Sequence, residues 1–243
     1  MVKIEGLSKA YKSTEAVSDL TFSVGPGEVL GLLGPNGAGK TTTLRSIAGV
    51  LRPDKGFISV GGFDISKSPI EAKALLAYLP DQPSFFDNLT CWDHIRFVAQ
   101  VFSIADYETK AQRLFERLEL TEKKKAFPSE LSKGMRQRLG LICSLLHSPK
   151  VILFDEPMTG LDPRGIRTLN EIILEESKRG NAVILSSHLL SILEEVCTKV
   201  LVIDRGKTRL YGTIEEVRAK SKDLLGNASL EEMFFYATKK DAA

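Results

Sequence analysis

Five apolar residues, Val29-Leu30-Gly31-Leu32-Leu33, run without a break into Gly34-Pro35-Asn36-Gly37-Ala38-Gly39-Lys40-Thr41, and a helical pattern follows over residues 40–50. This order constrains the chain more than any other feature. The octapeptide fits Gly-x-x-x-x-Gly-Lys-Ser/Thr in the strand, loop and helix context that the pattern requires. Its glycines let the backbone curl until successive N–H groups point at phosphate oxygens, and the helix adds the positive end of its dipole. Lys40 then reaches the β- and γ-phosphates, and the Thr41 hydroxyl can bind a magnesium ion. Thr42 joins the candidate nucleotide contacts from the same turn. At ordinary residue frequencies a random chain of this length would hold the pattern roughly once in a hundred.

Three more apolar runs, Val151-Ile152-Leu153-Phe154, Ala182-Val183-Ile184-Leu185 and Val200-Leu201-Val202-Ile203, are equally unbroken. Continuous apolarity means burial on both faces, as in a parallel sheet covered by helices. Helical patterns over 164–178 and 189–196 follow the first two of these runs, which gives a βαβ rhythm. The N-terminal pieces Val2-Lys3-Ile4-Glu5 and Thr21-Phe22-Ser23-Val24 alternate instead, as antiparallel strands with one wet face do. Helical patterns over 90–100, 107–118 and 133–147 read as an inserted helical subdomain. Two short helices are expected from about Thr213 onward, one opening on Ser229-Leu230-Glu231-Glu232 with a capping-box-like Ser and Glu.

A second site narrows the chemistry. The run Val151 to Phe154 delivers Asp155 and Glu156 at its C-terminal end, where ligands sit in open α/β sheets. Asp155 suits a magnesium shell, and Glu156 suits polarising an attacking water as general base.

Composition removes several classes. The formal charge is +2, from 33 basic and 31 acidic residues, so the excess that drives non-specific nucleic-acid binding is lacking and no nucleic-acid partner is expected. The run Lys123-Lys124-Lys125 reads as a solvated loop. Cys91, Cys143 and Cys197 are scattered among apolar residues, which suits buried thiols in a reducing compartment. The N-terminus carries no apolar signal core, and no stretch approaches the ~20 apolar residues that cross a bilayer. Any membrane crossing is expected from another chain.

Across its whole length the chain resembles the nucleotide-binding domains of ATP-binding cassette (ABC) transporters. Leu131-Ser132-Lys133-Gly134-Met135 is similar to the family signature Leu-Ser-Gly-Gly-Gln, departing at Lys133 and Met135 while keeping Ser132 and Gly134. Gly160-Leu161-Asp162 resembles the family's D-loop, and Ser186-Ser187-His188 its switch histidine. The resemblance implies that His188 contacts the γ-phosphate and helps orient Glu156, that Tyr11 stacks on adenine, and that Asp162 belongs to the nucleotide contacts. The coupling glutamine falls on Asp81 by count from Leu89-Thr90, with Gln82 one place later. Gln82 is the expected metal-linked residue and Asp81 the alternative.

The fold implied is α/β, a P-loop core of RecA-like type with a mainly parallel sheet. An antiparallel β subdomain is expected over 1–28 and 55–66, a helical subdomain over 84–147 and a helical extension over 213–243. The implied activity is ATP hydrolysis with magnesium. In the family the signature serine completes the site of a facing subunit, so the expected partners are a second nucleotide-binding domain, identical or different, and an integral membrane subunit. Phe85, Phe86 and Trp92 are candidate contacts to that subunit, although Trp92 and Phe97 read equally well as core. The expected location is the cytoplasmic face of the membrane. Residues 156–163 and 229–234 resemble short bacterial exporters, including drug, sodium and peptide exporters. A soluble ABC-type ATPase in a non-transport complex is the alternative, but only 91 residues separate Lys40 from Leu131, too few for a coiled-coil arm.

Overall fold

The computed structural model describes residues 1–225 and 229–239. Residues 226–228 and 240–243 of the expected C-terminal extension lie outside the described residues. In chain order the first half holds β1 (Val2–Tyr11), β2 (Thr14–Val24), β3 (Val29–Leu33), α1 (Lys40–Ile47), β4 (Lys55–Val60), β5 (Phe63–Asp64), α2 (Pro69–Ala74), β6 (Leu76–Leu79) and α3 (Cys91–Val101). There follow α4 (Tyr107–Arg117), α5 (Lys133–Leu145), β7 (Val151–Asp155), α6 (Pro163–Lys178), β8 (Ala182–Ser186), α7 (Leu190–Val196), β9 (Lys199–Asp204), β10 (Lys207–Thr213), α8 (Ile214–Leu225) and α9 (Leu230–Lys239).

The strands form two sheets, one in the order β2-β1-β4-β5 and one in the order β10-β9-β3-β8-β7-β6. The second is parallel from β9 to β6, with β10 antiparallel at its edge. This mixed α/β architecture is the expected one. The unbroken apolar runs are explained by what lies on each face. Val29, Leu33, Ile152, Phe154, Val183 and Leu185 join a core with helices α3 to α6. Their neighbours Leu30, Leu32, Val151, Leu153, Ala182 and Ile184 join a second core with α1 and the antiparallel sheet. Alternate side chains leave opposite faces of a strand, and here both faces are covered.

Five elements depart from the sequence reading. β1 and β2 run much longer than their alternating pieces, because register shifts between Ile4, Leu7, Lys9 and Ala10 break the period of two. β10 is an additional strand. Arg205 and Gly206 both take positive φ, 48° and 76°, which makes the two-residue turn of a hairpin pairing Lys207 with Asp204. β6 and α2 are likewise additional, each too short for its period to stand out. α3, α4 and α5 fall within residues 84–147, and Thr90 caps α3 with a capping box closed by Asp93.

The sheet register positions the site. Asp155 at the end of β7 pairs with Ser186 at the end of β8, and Leu32 of β3 pairs with Ser186 from the other side. The C-terminal ends of three parallel strands thus stand side by side, with β8 between β7 and β3 and the glycine loop leaving β3.

Candidate functional site

The loop from β3 to α1 owes its shape to backbone contacts that a side chain would block. At Gly39 φ is 109°, and a Cβ there would stand 2.4 Å from the carbonyl oxygen of Ala16. Only glycine meets both demands. Lys40, 8% exposed, follows at the first position of α1. Its Nζ donates to the carbonyl oxygens of Gly34 at 2.7 Å and Pro35 at 3.3 Å, so the ammonium lies across the loop. Burial pushes the Lys40 pKa down, while Glu156 and Asp155 act against that shift.

Asp155 is 2% exposed and is held by three hydroxyls. Its Oδ1 accepts from Thr41 Oγ1 at 3.1 Å and Ser186 Oγ at 2.8 Å, and its Oδ2 from Tyr78 at 3.5 Å. Burial, with Asp155 adding to it, raises the Tyr78 pKa, so that hydroxyl stays a donor. The Ser186 Oγ also accepts from the backbone N–H of Glu156 at 3.0 Å. Glu156 takes φ of 50°, a left-handed conformation that costs a non-glycine residue about 1–3 kcal/mol and is found where surroundings hold it. Its Oε2 meets His188 Nδ1 at 2.8 Å. His188 is largely exposed and Glu156 much less so.

Lys40, Thr41, Asp155 and Glu156 line one cavity of about 410 Å³ with Ala16, Asp81 and the rest of residues 36–42, while Tyr78, Ser186 and His188 reach it only through Asp155 and Glu156. Asn36, Gly37, Ala38, Gly39, Lys40, Thr41 and Thr42 line it directly, while Gly34 and Pro35 enter through their carbonyls. Asp81 is in the wall and Gln82 is not. Gln82, the residue expected at the metal, lines an adjoining cavity of about 370 Å³ with Lys133, Arg136 and Gln137, and Asp81 lines both cavities.

The oxygen set fits a magnesium ion. Thr41, Asp155 and Asp81 are hard donors on one wall, and among the described residues no three His, Cys, Asp or Glu side chains converge to cage a metal. Magnesium is commonly held by one or two carboxylates with substrate phosphates and water completing the shell.

Other candidates lie outside the cavity. Tyr11, 45% exposed, ends β1 opposite Thr14. Ser132 caps α5, its Oγ accepting from the N–H of Met135 at 3.3 Å. Gly134 packs against the Gly160 carbonyl, which leaves no room for a Cβ. Asp162 caps α6 by accepting from the Gly165 N–H at 3.0 Å, and it accepts from Arg138 at 2.6 Å. The Gly165 bond, with Arg138 adding to it, holds the Asp162 carboxyl below the usual range against desolvation. The signature turn and the D-loop are therefore one assembly, joined by Arg138. Trp92 packs on Phe115 and Tyr107 in the core, whereas Phe86 and Phe97 are exposed.

Ala16, Tyr78, Ser186 and Arg138 were not identified by sequence reasoning as contributors. Ser186 carried a signal, since a hydroxyl with 0% exposure at the end of an apolar strand needs a partner. The other three gave none.

A model of the ABC transporter family matches residues 17–159. The ABC-type transporter ATP-binding protein EcsA of Bacillus subtilis is 31% identical over 245 residues, covering 100% of this chain and 98% of that one. The lipopolysaccharide export system ATP-binding protein LptB of Haemophilus influenzae is 35% identical over 218 residues, 88% of this chain and 90% of that one. A solved ATP-binding subunit of an ABC transporter superposes with a TM-score of 0.93 at 32% identity, covering 98% of this chain and 100% of that one. The fold also matches the dimeric ATP-binding cassette MJ0796 with ADP and Pi, at a TM-score of 0.80, 19% identity, and 88% and 99% coverage.

Proposed function

The chain belongs to the ABC transporter family and is an ATP-hydrolysing domain of it, and from that premise we propose that it powers export by a separate membrane subunit, working as an ATP-closed pair. ABC ATP-binding domains act in pairs with a membrane transporter subunit, and among the described residues no helix is long and apolar enough to cross a membrane. Attachment to the cytoplasmic face of the membrane through that subunit follows.

The observation that carries the catalytic reading is the Glu156–His188 contact of 2.8 Å, beside a hydroxyl-braced Asp155 on the phosphate cavity. ATP phosphates would draw Lys40 from the Gly34 and Pro35 carbonyls onto the β- and γ-oxygens. Thr41, Asp155 and Asp81 would hold magnesium, which supplies charge stabilisation at the phosphates. The Glu156 carboxylate would orient the attacking water and take its proton as the oxygen bonds to phosphorus and the ADP oxygen departs. His188 would keep that carboxylate aimed and touch the γ-phosphate. Tyr11 would stack on adenine at the open side. Ser132 and Gly134, with the neighbouring Asp162, would come from the second copy, a reading supported by their separation from the cavity of their own chain. Identical copies suffice, since each carries both half-sites.

Export is supported by the similarity to LptB, an ATP-binding protein of a lipopolysaccharide export system, and by residues 229–234. The test is Glu156→Gln, assayed for hydrolysis and for mass by light scattering with ATP and magnesium. Loss of a general base should slow turnover by about 100- to 10,000-fold and accumulate an ATP-bound dimer. Turnover within a few fold of wild type would refute the assignment.

A further inference from the structure

A third cavity, of about 670 Å³, opens between α4 and the far ends of α5 and α6, and it shares no lining residue with the phosphate cavity. It falls within the about 300–1,000 Å³ typical of small-molecule sites. Five cations line it, Lys110, Arg113, Arg117, Lys150 and Arg179, against the acids Asp106 and Glu176. Two of the five are neutralised: Arg117 makes a bidentate pair with Glu175 at 2.6 and 2.7 Å, and Arg179 pairs with Glu176.

The other three are not. Lys110 donates to the Leu146 carbonyl at 2.9 Å and to Ser148 Oγ at 2.6 Å, both neutral acceptors. Burial pushes the Lys110 pKa down, with Glu176 opposing and Arg179 reinforcing that shift. Arg113 and Lys150 are exposed and form no ion pair among the described residues. Asp106, whose side chain makes no capping bond to α4, offsets one of these charges. The remaining excess is positive, in a recess whose floor is apolar through Leu114, Leu145 and Ile172.

An independent feature points to a ligand. Asn181 lines the cavity and is 6% exposed. Its Nδ2 donates to Glu176 at 2.7 Å, but its buried Oδ1 accepts from nothing among the described residues. A buried carbonyl left unmet carries its full desolvation penalty, which an incoming N–H would remove.

We propose that this cavity binds a nucleotide-sized, phosphate-bearing small molecule, with phosphates on Lys110, Arg113 and Lys150, a ring on the Leu114, Leu145 and Ile172 floor, and a ring N–H donated to Asn181 Oδ1. The site is distinct from the hydrolytic one. Its walls are α4 and α6, already clamped by Arg117 and Glu175, and its floor includes the last residue of α5, the helix that begins at the signature Ser132. A ligand bracing these walls regulates turnover rather than supplying it.

The test uses the full chain carrying Lys40→Ala, which weakens the phosphate loop, titrated calorimetrically with pyrophosphate, ADP and GDP. A nucleoside diphosphate is expected to bind more tightly than pyrophosphate. Adding Arg113→Ala and Lys150→Ala should weaken that binding about 100-fold, roughly tenfold per charge-assisted contact. Both side chains are exposed and unpaired, so an unchanged thermal midpoint certifies the fold. Asn181→Leu, which removes the acceptor oxygen, should erase the preference for the nucleotide over pyrophosphate in the same titration. No binding by any of the three probes overturns the proposal, as does binding that the double substitution leaves intact or a preference that survives Asn181→Leu.

Discussion

Replacing Gly134 by alanine sets two forces against each other. Within a helix alanine is favoured over glycine by about 1 kcal/mol, so propensity alone predicts that Gly134→Ala stabilises α5. The structure predicts the opposite. A Cβ at residue 134 would stand 2.4 Å from the Gly160 carbonyl oxygen and 3.4 Å from its carbon. The oxygen must retreat by at least 0.6 Å to reach the 3.0 Å below which such contacts essentially never occur. The turn has little freedom to do so, because the Thr159 N–H bonds the Glu156 carbonyl and the Leu161 N–H that of Met158. Asp162 is tied down by Gly165 and Arg138. Overpacking of this kind costs about 1–3 kcal/mol, which outweighs the propensity gain. For a chain of this size each kcal/mol lowers the melting temperature by about 2–4 °C. The same turn begins at Glu156, and a displacement near 1 Å in a catalytic group can cost about 100-fold in rate. Thermal unfolding and ATPase assays on the variant read both effects. A raised melting temperature with wild-type turnover would show that the contact does not govern the turn.

Ser186→Ala should destabilise by about 1–3 kcal/mol, because it strands the Glu156 N–H and removes a donor from buried Asp155; urea unfolding measures it, and an unchanged midpoint would contradict the account. Its ATPase should fall as well, through misplacement of both carboxylates. The Arg117 guanidinium holds the Glu175 carboxyl below its ordinary value of 4.5, with burial opposing. A depressed folded value gives stability that is present above pH 4.5 and lost as pH falls through that lower value. Since the pair is partly exposed, Arg117→Ala should cost no more than about 1 kcal/mol at pH 7. The loss should vanish in strong acid, and thermal unfolding across pH showing a constant difference would refute it.

What was legible in the sequence is what depends on neighbours in the chain. The β3 run, the glycine loop and Lys40 are contiguous, so their chemistry could be read without a fold. The runs ending at Phe154 and Leu185 announced two-sided burial, and that fixed Asp155 at a strand end. Asp81 and Gln82 could not be separated, because residue type favoured one while only tertiary placement puts Asp81 in the wall of the phosphate cavity. β10 was hidden behind a turn whose positive φ falls on Arg205, a residue type not usually associated with it. The bracing of Asp155 by Tyr78, and the bond from Arg138 to Asp162, join residues 77 and 24 positions apart. No local pattern encodes such a pairing. Ala16 enters the cavity only because β2 passes the loop, which is likewise a product of tertiary packing.

The central claim is that each ATP site is built from two chains, with Lys40 on one and Ser132 and Gly134 on the other. Complementation tests it most directly. One sample carries Lys40→Ala and the other carries Ser132→Arg, each folded by thermal unfolding and each inactive alone. Their mixture contains a pair in which one site has an intact phosphate loop facing an intact signature. The account predicts that mixing restores ATP hydrolysis, to about a quarter of wild type if pairing in a two-fold dimer is random and sites act independently. A mixture as inactive as its components, with mixed dimers demonstrated by crosslinking, would contradict it.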